Sequence, residues 1–198
     1  MLLQQAGWER LEIDLVRRAA FQPGGLRLDL SAIAKGFGVD QVCRLLTAAG
    51  LANHLVEVGG ELRGAGVKPD GQPWWVALEH PAQSDFGTTT RLPSHAETIV
   101  ALHGLAVATS GDYRRYRDIA GKRYSHTIDP CSGSPIAAGL ASVTVLHECT
   151  MAADALSTAL TVLGMEEGLA GRISTALPPC SSPVTTAMNR MPIAIRSG

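Results

Sequence analysis

Two stretches of the chain carry a helical period, and the residues around them carry a different one. From Ser31 the apolar residues Ile33, Phe37, Val39, Val42, Leu45 and Leu46 suit one helix face, and Gly50 is placed to cap its C-terminus. The pattern returns from Thr150, a candidate N-cap, to Leu163, with Gly164 at the C-terminal end. Short apolar or alternating runs read as strands at 8–16, 26–30, 55–58, 61–64, 74–78, 99–102, 105–108, 123–128 and 142–146. In the first of these, Leu11, Ile13 and Leu15 alternate with Glu12 and Asp14. His103-Gly104 reads as the turn of a hairpin, Pro69-Asp70-Gly71 as a turn, and 82–97 as a surface loop. The expected fold is α+β: an antiparallel sheet with two main packed helices. Beyond residue 172 the periodicity stops, so 1–172 is expected to be the domain and 173–198 a loose tail.

The 198 residues suffice for one domain with a sizeable core. With 45% hydrophobic and 18% charged residues the chain is not a disordered one. A net charge of −1 gives no support for a nucleic-acid surface. No apolar run reaches the roughly 18 residues needed to span a bilayer. The start, Met1-Leu2-Leu3-Gln4-Gln5, lacks the charged and apolar blocks of a secretory signal, so the chain as written is expected in the cytoplasm. Cys43, Cys131, Cys149 and Cys180 form no CxxC, which argues against a zinc site or a dithiol motif and for buried or incidental thiols.

Four stretches carry candidate chemistry. Ser125-His126-Thr127-Ile128-Asp129-Pro130 gathers a histidine, hydroxyls and a carboxylate. Imidazole changes charge near neutral pH, so His126 with Asp129 is a candidate proton-handling pair; a structural role is the alternative. In the second helix Asp154 and Thr158 are four apart and share a face, while Leu156, Leu160 and Leu163 lie on another. A carboxylate with a hydroxyl suits a hard cation such as Mg²⁺, which takes oxygen ligands and substrate phosphates. The alternative is a threonine bonding its own i−4 carbonyl and an aspartate answering the helix dipole.

At the first helix, Asp29 ends a strand, Ser31-Ala32 open the helix, and Lys35 adds a cation. The free N–H groups of a helix start suit an anion such as phosphate; an N-cap and a solvated lysine are the alternative. Gly36 and Gly38 each cost about 1 kcal/mol in a helix relative to alanine, so close packing or ligand approach is expected there. Gly59-Gly60, in Val56-Glu57-Val58-Gly59-Gly60-Glu61, lets backbone approach a flat ligand or makes a tight turn. Ser110-Gly111 is part of a site or a plain turn. The other histidines, His54, His80, His95, His103 and His147, have no partner at ligand spacing and are expected on the surface. No GxGxxG, Walker loop, GxSxG or HExxH is present.

Taken in order, LDLSAIAKGFGVD (28–40), LVEVGGELRGAG (55–66), ATSGDYRRY (108–116), GKRYSHTIDPCSGSPI (121–136) and SVTVLHECTMAADALSTALTVLG (142–164) resemble the ApbE-type FAD:protein FMN transferases. The resemblance covers about residues 8–170. It implies a tunnelling-fold-like domain and a Mg²⁺-dependent enzyme of protein flavinylation. Such an enzyme cleaves the FAD pyrophosphate, transfers FMN to a Thr or Ser hydroxyl of a target flavoprotein and releases AMP. Hydrolysis of FAD to FMN and AMP, or an inactive FAD-binding fragment, is the alternative. The resemblance implies a metal held by Asp154, Thr158 and the backbone carbonyl of Ala32. It implies FAD contacts from Asp29, Lys35, Ile128 and Ser157, with Gly59, Gly60, Ser110 and Gly111 close by. His126 would be the base or an orienting group, with Asp129 beside it. Members of this family usually carry a longer region before the Asp29 motif, often behind a lipoprotein or secretory signal that takes them to the periplasm or inner membrane. Here 28 residues precede Asp29, so part of the usual flavin pocket is expected to be lacking.

Overall fold

The computed structural model describes residues 5–78, 98–111, 116–120, 122–136, 140–169 and 185–190. In chain order the strands and helices are β1 (Glu12–Asp14), β2 (Ala19–Phe21), α1 (Ala34–Ala48), β3 (His54–Val58), β4 (Glu61–Ala65), β5 (Trp74–Ala77), β6 (Ile99–Leu102), β7 (Leu105–Gly111), β8 (Tyr116–Ile119), β9 (Lys122–Ser125), β10 (Leu140–His147), α2 (Thr150–Leu169) and β11 (Thr185–Arg190). A five-stranded antiparallel sheet, ordered β11-β10-β7-β4-β3, carries both helices. This is the expected α+β class.

β10 lies inside that sheet, and Val143 and Val145 on it are fully buried. Ser142 and Thr144, which alternate with them, are buried too, so the strand is covered on both faces. Ala153, Leu156 and Leu160 of α2 close over Ala108, Leu140, Val143 and Val145. A smaller cluster joins Val39 and Cys43 of α1 to Val56 of β3, with Leu46 at its rim. α1 begins at Ala34 rather than Ser31, after a turn over 31–33. Its buried stripe is Gly36, Val39 and Cys43; Phe37, Val42 and Leu45 are exposed. One helix face seats a narrow stripe, so apolar residues outside it stay in solvent.

Gly36 is explained by close packing. A Cβ there would lie 2.5 Å from the Thr150 carbonyl oxygen, so only glycine lets the α1 backbone touch the first turn of α2. Gly38 has open space around it and nothing in the structure explains it. Gly164 breaks α2 with φ 75°, and the helix resumes to Leu169.

Several expectations are corrected. β6 and β7 do not pair as a hairpin: β6 pairs with β5, while β7 joins the main sheet. The chain turns a corner at His103-Gly104, with Gly104 at φ 69° and its N–H on the Gly64 carbonyl. The 8–16 run holds a 3-10 turn, Trp8–Arg10, and only a short β1, because Asp14 accepts the N–H groups of Val16 and Arg17 and turns the chain into β2. Residues 26–30 form no strand; Arg27 bonds the Gln5 carbonyl instead. β8 pairs with β9, and its charged sequence hid it from the apolar pattern. His54 and His147 are buried, not on the surface: Nδ1 of His54 meets the Leu51 carbonyl at 2.8 Å, and Nδ1 of His147 accepts the Cys149 N–H at 2.9 Å. A backbone partner answers Nδ1 of each ring, while Nε2 of His54 is buried with no partner among the described residues. Residues 185–190 pair with β10 as an edge strand, so this part of the 173–198 tail is not loose; β10 offers it an open edge of backbone donors and acceptors. The loop 82–97, His80, His95, Cys180 and the remainder of the tail lie outside the described residues. No helix among the described residues is long and apolar enough to cross a membrane.

The helix pair is locked by Asp40, a residue the sequence did not single out. Its carboxylate leaves α1 and caps α2 from outside. Oδ1 accepts the Thr150 N–H (3.1 Å) and hydroxyl (2.8 Å), and Oδ2 accepts the Met151 N–H (2.9 Å). Arg63 of β4 reaches Oδ1 at 2.6 Å, and the Cys149 thiol donates to Oδ2 at 3.2 Å. Thr150 therefore does not cap the helix with its own oxygen. Burial alone would raise the Asp40 pKa, but the Met151 and Thr150 donors and the Arg63 guanidinium outweigh it and hold the carboxyl below the usual range. A group with a depressed folded pKa adds stability above its unfolded value, about 3.9, and that stability is lost as pH falls through the folded pKa. We predict that Asp40→Asn lowers stability by about 1–2 kcal/mol at pH 7 in chemical denaturation, and that the loss shrinks at acid pH.

Candidate functional site

The first turn of α1 meets α2 and the β3–β4 turn through two consecutive residues. The Gly36 N–H donates to Asp154 Oδ2 at 3.0 Å, across 118 residues of chain. In a helix running back to Ala32, that N–H would close on the Ala32 carbonyl. Asp154 takes it instead, so the anion gathered by this helix start is a carboxylate of the protein itself. Lys35 turns the other way, and its Nζ donates to Glu61 Oε1 at 2.5 Å. The lysine is paired, not merely solvated.

Glu61 opens β4 directly after Gly59-Gly60. Those glycines stand at φ 59° and 97° and join Val58 to its partner Glu61 in a two-residue hairpin turn. Left-handed conformations at both positions favour glycine. The pair is thus a tight turn, and it brings backbone close to Lys35: a Cβ on Gly59 would lie 3.3 Å from Lys35 Cδ.

A hydroxyl cluster adjoins. Ser110 Oγ of β7 lies 2.8 Å from Ser157 Oγ and 3.0 Å from Thr158 Oγ1. Ser157 donates back to the Asp154 carbonyl at 2.9 Å. The Thr158 hydroxyl therefore meets a strand residue in place of the carbonyl one turn earlier. Asp154 and Ser157 are buried, and Thr158 is half-buried.

Burial raises the Asp154 pKa, opposed by the Gly36 N–H and the Lys35 charge. Burial likewise raises that of Glu61, opposed by the bond and charge of Lys35 and reinforced by the charge of Asp154. Two buried carboxylates share one ammonium. Buried charge that is not fully compensated is costly. The side chains gathered here offer a carboxylate and hydroxyls, all oxygen, the donor type of a hard cation. Among the described residues no group of three or more His, Cys, Asp or Glu is placed to hold a metal ion.

Other expected residues stand apart from this cluster's hydrogen bonds. Asp29 is exposed, and its carboxylate accepts the Ser31 N–H (2.8 Å) and hydroxyl (2.5 Å). The Ser31 hydroxyl and N–H lower its pKa against a small effect of burial. Its turn leads the chain into α1. Gly111 ends β7 opposite Ser142. His126 is exposed just after β9. Ile128 is exposed and bridges to Pro135. Asp129 serves the turn that follows: its carboxylate accepts the Cys131 N–H (2.9 Å) and the Ser132 N–H (3.3 Å). Bonds from Ser132 and then Cys131 hold it below the usual range. Its oxygens are thus engaged by its own loop. The sequence motif by itself assigns Glu61 no role. Its position at the mouth of a Gly-Gly hairpin was the available signal.

The family model described as the ApbE family matches residues 1–173. A protein of Haemophilus influenzae named FAD:protein FMN transferase is 46% identical over 142 residues, which is 72% of this chain and 39% of that protein. One of the same name from Vibrio cholerae is 44% identical over 153 residues, 77% of this chain and 43% of that protein. The chain thus spans about two fifths of the length of these relatives. The crystal structure of apo flavinyl transferase ApbE from Pseudomonas stutzeri superposes with TM-score 0.71 at 46% identity, covering 85% of this chain and 49% of that one. The flavin transferase ApbE structure from Vibrio cholerae gives TM-score 0.74 at 37% identity, covering 94% and 54%. The shared motifs, the common fold and the match over 1–173 place this chain in the ApbE family.

Proposed function

We propose that this chain carries the cation- and pyrophosphate-handling core of an enzyme that moves FMN from FAD to a Thr or Ser hydroxyl of a target flavoprotein, releasing AMP. The observation that carries the reading is the junction of Gly36 with Asp154 beside Ser110, Ser157 and Thr158. The names of the relatives support it. Asp154, Thr158 and the Ala32 carbonyl would hold Mg²⁺. Bound there, Mg²⁺ would neutralise charge on the phosphoryl oxygens.

The residues of the chain supply the rest. Lys35, held over the β3–β4 turn, adds positive charge toward the flavin nucleotide, and Asp29 and Ile128 border it. Ser157 and Ser110 orient its polar groups by hydrogen bonds, with Gly60 and Gly111 leaving room for close approach. A hydroxyl is a weak nucleophile at neutral pH and needs a base. His126 takes that proton as the acceptor oxygen attacks the FMN phosphorus. The P–O–P anhydride bond breaks, a phosphoester forms, and AMP departs.

Three outcomes test this. Incubated with FAD, Mg²⁺ and a flavin-acceptor domain, the chain should add the mass of FMN to the acceptor. Free FMN and AMP with an unmodified acceptor would mean hydrolysis, and unchanged FAD would contradict both. His126→Ala should slow transfer about 100-fold or more while FAD affinity changes little; equal losses would demote His126 to a structural role. Asp154→Asn should raise the thermal midpoint of the metal-free protein and abolish the rise that Mg²⁺ gives wild type, as read by calorimetry.

A further inference from the structure

Glu61 is the most deeply buried carboxylate among the described residues, with 1% of its surface exposed. Its Oε1 is committed to Lys35. Its Oε2 is buried and has no hydrogen-bond partner among the described residues. An unsatisfied buried carboxylate oxygen costs the full desolvation of that atom, so it calls for an acceptor's role toward something that arrives. What arrives is constrained by the surroundings. Lys35 and Gly36 are consecutive, and one reaches Glu61 while the other reaches Asp154. The two carboxylates therefore flank a single turn of α1. The stem of Lys35 fills the space over Gly59, and a Cβ on Gly59 would come within 4.0 Å of Oε2. The hairpin backbone thus closes one side of the oxygen.

We infer that Glu61 is a positioning residue for the cation site, pinning Lys35 with Oε1 and accepting through Oε2 a hydrogen bond from a water of the cation's hydration shell. This rests on the reading that Asp154 holds a divalent cation. Mg²⁺ keeps several of its waters when a protein supplies few ligands, and Asp154 is the one carboxylate of the proposed donor set. Partners in the outer shell that orient such ligands typically change metal affinity 10–100-fold when removed. Glu61 also ties the two halves of the site together: the same side chain that orders the shell fixes the ammonium proposed to face the nucleotide.

The test uses the full 198-residue chain with Mn²⁺ as probe in the presence of FAD, reading free Mn²⁺ by electron paramagnetic resonance, with thermal midpoints recorded alongside. Glu61→Gln keeps the shape and removes the charge; Glu61→Asp keeps the charge and withdraws the oxygens. Both should bind Mn²⁺ about tenfold more weakly than wild type while remaining folded. Wild-type affinity in both variants overturns the proposal. Wild-type affinity in Glu61→Asp alone also overturns it, because charge and not placement would then be what the cation meets. Failure of wild type itself to bind Mn²⁺ would overturn the cation reading of Asp154 along with it.

Discussion

The hydrogen bond from the Gly36 backbone to Asp154 is the contact on which the rest of the site depends. It requires α1 and α2 to approach until backbone touches backbone, which only a residue without a Cβ permits. It also requires the start of α2 to be fixed in register. Asp40 supplies that by capping α2 from α1 and tying both to β4 through Arg63. Once the helices are set, Ser157 and Thr158 fall opposite Ser110, and Lys35 falls over the β3–β4 turn. The site is a by-product of one tight helix crossing.

That geometry has an electrostatic consequence. Bringing Asp154 and Glu61 to the same turn of α1 buries two carboxylates against one lysine. A fold optimised for stability alone would place apolar side chains there. Retaining the charge makes sense if a cation is present during function, and the oxygen-rich lining fits a hard one. The helix start that would otherwise collect a phosphate spends one N–H on Asp154, so an anionic ligand would meet a cation held by that aspartate rather than the bare helix dipole.

Much of this could be read from sequence, and the rest could not for identifiable reasons. The helices were legible from period and the break at Gly164 from its glycine, but not the turn of helix that follows to Leu169. The α+β class followed from the short strands. Gly36 was recognised as costly, and its cost is explained by α2. Strand partners were less legible: β6 and β7 adjoin in sequence yet join different sheets, because a corner at Gly104 separates them. Asp154 and Thr158 read as a pair in the sequence because both lie on one helix face. Asp40 and Glu61 escaped because their partners, Thr150 and Lys35, are distant in sequence and meet them only through the fold. The loop bonds of Asp129 were not legible either: it stands three residues from His126, and backbone N–H groups beyond it meet its oxygens.

If the α1–α2 junction assembles one site for a divalent cation and the flavin pyrophosphate, the two ligands bind cooperatively. The direct measurement is the affinity of the chain for FAD, followed by flavin fluorescence with and without saturating Mg²⁺. Mg²⁺ should tighten FAD binding about tenfold or more, and by reciprocity FAD should tighten Mg²⁺ to the same degree. An FAD affinity indifferent to Mg²⁺ would contradict it.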